Sequence, residues 1–150
     1  MGQHYCRGRH IAWGALTGLL QIKSARIAQN AARADQRAEA LRRALGELVA
    51  ALGDHRRAMW HREVLRLAER VAREAVEAAR TASRATRSAV TGPLVAVSVL
   101  ERSLAEPARQ AALAAFNLRD ATDHTALTSR REAAIAATDE LVAAAGRAMA

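Results

Sequence analysis

The sequence predicts an all-α protein built on a long antiparallel helical hairpin, with a coiled-coil-like, Ala-rich seam and two or three shorter helices covering part of it. Two registers and a break lead to this reading. From Ile27 the residues Ala31, Ala34, Ala38, Leu41, Leu45, Leu48 and Leu52 recur in strict 4,3 alternation, the spacing of a stripe that faces another helix. Val64, Ala68, Val71, Ala75, Ala78, Ala82, Ala85 and Ala89 repeat the same step. Between the two stripes, Gly53 suits a left-handed helix C-cap and Asp54 suits the N-cap of a following helix.

Composition explains why helices dominate and why their packing is weak per residue. About a quarter of the 150 residues are Ala, and the aromatic side chains are Tyr5, Trp13, Trp60 and Phe116 alone. Ala favours the helix but has little area to bury. A single domain of this length buries roughly 68–70% of its extended-chain surface, so a core is possible, and an Ala-lined seam of this length predicts a homo-oligomer.

The elements follow in order. Residues 1–10 lack periodicity. A helix starts near Ile11 and leads into the first register, for which Ser24 is a possible N-cap. That register ends at Leu52, and the second helix runs from His55 to Val90, about 50 Å at 1.5 Å per residue. Thr91, Gly92 and Pro93 stop it. Leu94–Glu106 reads as a further helix, because Val97, Leu100 and Leu104 share a face and no second strand exists to pair with. Pro107 opens the next helix in its first turn and carries it to Arg119. Asp120–Thr128 is a polar loop. The last helix starts with Ser129 and Glu132 in capping-box spacing and carries Ile135, Thr138, Val142, Ala145 and Met149 on one face. Three segments result: a lead-in over 1–23, a basic hairpin over 24–92, and near-neutral helices over 93–150.

Charge supports that division. The net +8 is uneven: ten cationic against four anionic residues over 1–57, seven against four over 58–92, and six against seven over 93–150. Lys23 is the single lysine among 23 cationic residues. Arg is the better bidentate phosphate ligand, although an Ala-rich, Arg-for-Lys composition is also what GC-rich coding produces.

The clearest functional pattern is an arginine stripe on the second helix. Arg66, Arg70, Arg73, Arg80, Arg84 and Arg87 fall on the 4,3 step, two residues out of phase with the Val64–Ala89 stripe, about 200° away. Glu69 with Arg73 and Glu77 with Arg80 explain its first half as a solvated face. The second half lacks counterions, since no acidic residue occurs between Glu77 and Glu101, and Thr81, Ser83, Thr86 and Ser88 lie among the arginines. Guanidinium and hydroxyl groups are the usual phosphate donors, so the expected partner is nucleic-acid backbone or an acidic protein surface. Helix-turn-helix, zinc-finger and RNP-like signatures and stacking platforms are missing, which excludes base readout by those means.

Other constellations are weaker. His4, Cys6 and His10 match no zinc spacing, and Asp120, Asp123 and His124 make an ordinary loop cluster. G-x-S-x-G, S-x-x-K and a Gly-rich phosphate loop are all absent, so the sequence points to no enzyme, metal or cofactor. One cysteine fits a reducing, cytoplasmic location. A second reading rests on Trp13 and the Gly14/Gly18 pair, flanked by Arg7, Arg9 and Lys23. These suit an anionic membrane surface and an accessory protein that supports transfer or spread of a mobile element such as a plasmid. Small size and coding bias suggest that class without a matched motif, and the apolar run of about ten residues is too short to span a bilayer.

Overall fold

The first helix is longer than the sequence predicts, and the second is shorter and starts later. The computed structural model describes the backbone of residues 10–150 and the side chains of residues 21–150. Helix α1 spans His10–Leu67, α2 Arg73–Leu100, α3 Ala105–Phe116 and α4 His124–Met149, with one 3₁₀ turn at Arg102–Leu104 before α3. No strand occurs among the described residues, so the all-α class holds. The chain divides into two units, 1–38 and 39–150.

In the first unit α1 begins at His10, and its described side chains are almost all exposed. Ile27, Ala31 and Ala34 were expected in the seam and instead face solvent, with Ala38 half-buried. The register buries side chains only where another helix lies against it, from Leu41 onward.

The second unit holds the core. Leu41, Ala44, Leu45, Leu48, Ala51 and Leu52 of α1 cluster with Val90 and Val97 of α2, Ala108, Ala111, Ala112 and Ala115 of α3, and Leu141 and Ala145 of α4. A second cluster joins Met59 of α1 to Leu118, Ala121, Leu127 and Ala134, with Trp60 and Val64 packed on it.

The hairpin is present, but its turn lies elsewhere. His55 meets Thr86 and Arg62 meets Ser83, so rising numbers on α1 pair with falling numbers on α2, the mark of an antiparallel pair. The connection is 68–72, and α1 runs straight through Gly53 and Asp54. A single Gly costs a helix only about 1 kcal/mol. The buried series Leu41, Leu45, Leu48, Leu52 continues with His55 and Met59 in the same 4,3 step, and burying that continuous face outweighs the local break signal. Residues 68–72 contain no Gly, Pro, Asn, Asp or Ser, and Ala72 caps α2 without a side-chain hydrogen bond. Long-range pairing therefore sets the turn.

Helix α2 likewise passes through Gly92 and Pro93 to Leu100. Pro93 forfeits the bond to the Ala89 carbonyl and costs about 3 kcal/mol relative to Ala. Val90 and Val97, fully buried on either side, hold the helix together across that defect. The buried face of α2 is Ala79, Ser83, Val90 and Val97, with Val76 and Thr86 half-buried on the same face. This is one residue out of phase with the expected Ala75–Ala78–Ala82–Ala85–Ala89 stripe, which is exposed.

Beyond α2 the boundaries also shift. Pro107 sits in the first turn of α3 as its chemistry demands, but α3 ends at Phe116. Asp123, and not Ser129, caps α4: its carboxylate accepts from the Ala126 N–H at 2.8 Å. Thr138 and Ala145 are buried on α4 as expected, while Val142 and Met149 are exposed.

Candidate functional site

The six arginines of the sequence stripe do not lie on one helix. The 68–72 connection leaves Arg66 in the last turn of α1, Arg70 in the connection, and Arg73, Arg80, Arg84 and Arg87 on α2. Arg66 is engaged within the fold: its Nε donates to Glu63 Oε2 at 2.7 Å and its guanidinium also donates to the Ala121 carbonyl. Arg80 makes an exposed pair with Glu77 at 2.8 Å, one turn back. Such surface pairs contribute only tenths of a kcal/mol and do not block other partners.

Arg84 and Arg87 differ from these. Arg84 is exposed and has no ion pair among the described residues. Arg87 lies over the Phe116 ring with 3.9 Å between the guanidinium carbon and the ring centroid. A guanidinium stacked this way is held in one orientation while its in-plane N–H groups remain free to donate. Because the α2 seam is one residue out of the expected phase, Arg80, Arg84 and Arg87 each directly follow a seam residue, about 100° from the buried face. They flank the seam where an opposite face was expected.

Beneath Arg87 lies a buried polar group that the sequence pattern did not single out. His55 is 1% exposed, packs edge-on to Phe116 with 5.2 Å between ring centroids, and shares a 3.0 Å hydrogen bond with Thr86 Oγ1. The Thr86 hydroxyl donates to the carbonyls of Ala82 and Ser83, so His55 Nδ1–H is the donor to it. His55 Nε2 is buried without a partner. Burial, followed by the charge of Arg87, pushes the His55 pKa down to about 4, against a raising backbone bond at Ser83. Extending the Leu41–Leu52 register by one step finds His55.

Glu63 is the second such group. Its fully buried carboxylate accepts from Arg66 and, at 3.1 Å, from the Asp120 N–H, fastening the α3–α4 loop to α1. Asp120 there adopts φ +59°, a left-handed conformation that Asp tolerates better than most residues. The Asp120–Asp123–His124 cluster is thus a loop anchor and a helix cap. Three further cations, Arg56, Arg57 and Arg131, line a cleft beside Trp60 that the sequence pattern did not reveal, because α1 and α4 meet there only in the fold.

Trp13, Gly14 and Gly18 lie in the helical stretch of α1, with side chains outside the described residues, as are His4 and Cys6 altogether. Among the described residues no three or more His, Cys, Asp or Glu side chains group to hold a metal ion. No helix among them is long and apolar enough to cross a membrane.

A family model described as KilB plasmid transfer protein matches residues 42–149, nearly the whole second unit, including the α2 arginines and every core residue but Leu41. The chain belongs to this KilB family. Protein KilB of Streptomyces lividans is 55% identical over 137 residues, which cover 91% of this chain and 90% of that protein. No solved structure matches. The expected link to plasmid transfer therefore stands at the level of the family, and the KilB match begins at the point along α1 where burial begins.

Proposed function

We propose that this chain serves plasmid transfer as a non-enzymatic helical module that holds nucleic acid by its phosphate backbone, through Arg80, Arg84 and Arg87 of α2. One observation carries the reading. Between Glu77 and Glu101 the helix presents three arginines and no carboxylate; Arg84 is unpaired among the described residues, and Phe116 orients Arg87. Arg80 has only its exposed pair with Glu77, and neither Arg84 nor Arg87 makes an ion pair among the described residues, so an external anion completes the run, and the exposed hydroxyl of Thr81 beside it adds a donor. The family assignment to plasmid transfer supports nucleic acid as that anion. Backbone contacts position without reading sequence.

Two duplexes of unrelated sequence therefore bind with equal affinity, measured by fluorescence anisotropy. The R80Q/R84Q/R87Q variant, altered only at these arginines, binds both about tenfold or more weakly. Unchanged binding by that variant, or capture of an acidic protein with no affinity for DNA, refutes the reading.

A further inference from the structure

We infer that the cleft between α1 and α4 lined by Arg56, Arg57, Trp60 and Arg131 is a binding site for a phosphate group, separate from the α2 arginines. The cleft encloses about 250 Å³. Arg56, Arg57 and Trp60 come from one turn of α1, at i, i+1 and i+4, while Arg131 reaches in from α4. Three arginines from two helices thus line one small space.

The cations are poorly neutralised. Arg57 pairs with Asp54 on the exposed side of its own helix, and both partners stay largely solvated. Neither Arg56 nor Arg131 makes an ion pair among the described residues. Burial holds the Arg56 guanidinium below its usual range, and the charges of Arg131 and then Arg57 add to that, opposed only by Asp139. Like charges brought together in a partly desolvated cleft repel, and a folded protein retains such an arrangement at a cost that an entering anion removes.

Three arginines from two helices suit a phosphate, which offers more acceptor oxygens and more charge than a carboxylate and the directed acceptors that a halide lacks. Guanidinium forks match the tetrahedral oxygens of phosphate with paired N–H donors. Arg131 is positioned for this, because its guanidinium lies over the Trp60 ring at 5.0 Å from the centroid. Its face is occupied and its N–H edges remain available. Trp60 serves as the support for that arginine and, being half-buried beside the cleft, as a reporter of occupancy.

The test uses the full chain with Trp13→Phe, which leaves Trp60 as the single tryptophan. Inorganic phosphate is titrated at constant ionic strength, with emission and heat of binding both recorded. The expected result is a saturable response in both, weakened about tenfold or more in R56Q/R131Q. Thermal unfolding guards against a misfolded variant: phosphate raises the melting temperature of the wild type and not of R56Q/R131Q, which in phosphate-free buffer melts no lower than the wild type.

Competition then identifies the source of the phosphate, a single-stranded oligonucleotide reporting nucleic acid and phosphatidylglycerol vesicles a lipid headgroup. A response that tracks ionic strength alone, or one that persists undiminished in R56Q/R131Q, overturns the proposal. Phosphate binding by R80Q/R84Q/R87Q remains at wild-type strength, so this site and the α2 face fail or succeed separately.

Discussion

His55 and Glu63 show how much two buried polar side chains do in an Ala-rich core. His55 titrates at about 4 in the fold and near 6.5 when unfolded, so the unfolded chain binds the extra proton between those values. Stability is therefore complete above about pH 6.5 and lost as pH falls toward 4, because protonation charges a ring that Phe116 and Arg87 surround. Between about pH 7.5 and 5.5 the fold loses about 1 kcal/mol from this residue. Urea unfolding at the two pH values measures it, and His55→Gln flattens the difference. For Glu63, replacement by Ala strands the Asp120 N–H and the Arg66 guanidinium together and costs about 2–4 kcal/mol. Glu63→Gln, which keeps an acceptor, costs less. A loss of a few tenths, the size of an exposed ion pair, contradicts the anchoring role.

At the scale of elements the helical period was legible and its punctuation was not. Gly53 and Asp54 carry turn chemistry, yet Gly53 sits in mid-helix without a positive φ, and an added Cβ meets only the Arg57 guanidinium at 3.5 Å. Gly53→Ala therefore raises stability by about 0.5–1 kcal/mol, read from thermal unfolding. A turn at this position gives the opposite sign, since Ala is strained in a left-handed cap. The α2 seam lies one residue from the stripe that the sequence predicts, for a related reason. Ala occupies both the true row, at Ala79, and the neighbouring row, at Ala75, Ala78 and Ala82, so the pattern has little contrast. The true row also contains Ser83 and Thr86, polar by composition, whose hydroxyls are satisfied by carbonyls three and four residues back and pack as small side chains. Leu41 to Leu52 were read correctly because Leu has no such competitor nearby. The arginines of α2 were legible as an acid-free run, whereas Arg56 and Arg131 are brought together only by the packing of α4 on α1.

Over the whole molecule, charge and burial divide the work. The unit over 39–150 contains the core, the α2 arginines and the whole of the KilB family match. On the proposed reading this module binds by electrostatics, and its affinity for nucleic acid is set by how many phosphates its arginines neutralise. The most direct test is the dependence of duplex-DNA affinity on salt, compared between the wild type and R80Q/R84Q/R87Q. Each phosphate contact adds about 0.9 to the slope of log K against log salt, so losing three arginines lowers the slope by about 2 to 3. That reduction, with the fold intact by circular dichroism, is the predicted result. An unchanged slope contradicts the account, because it leaves the cationic face of α2 without its partner.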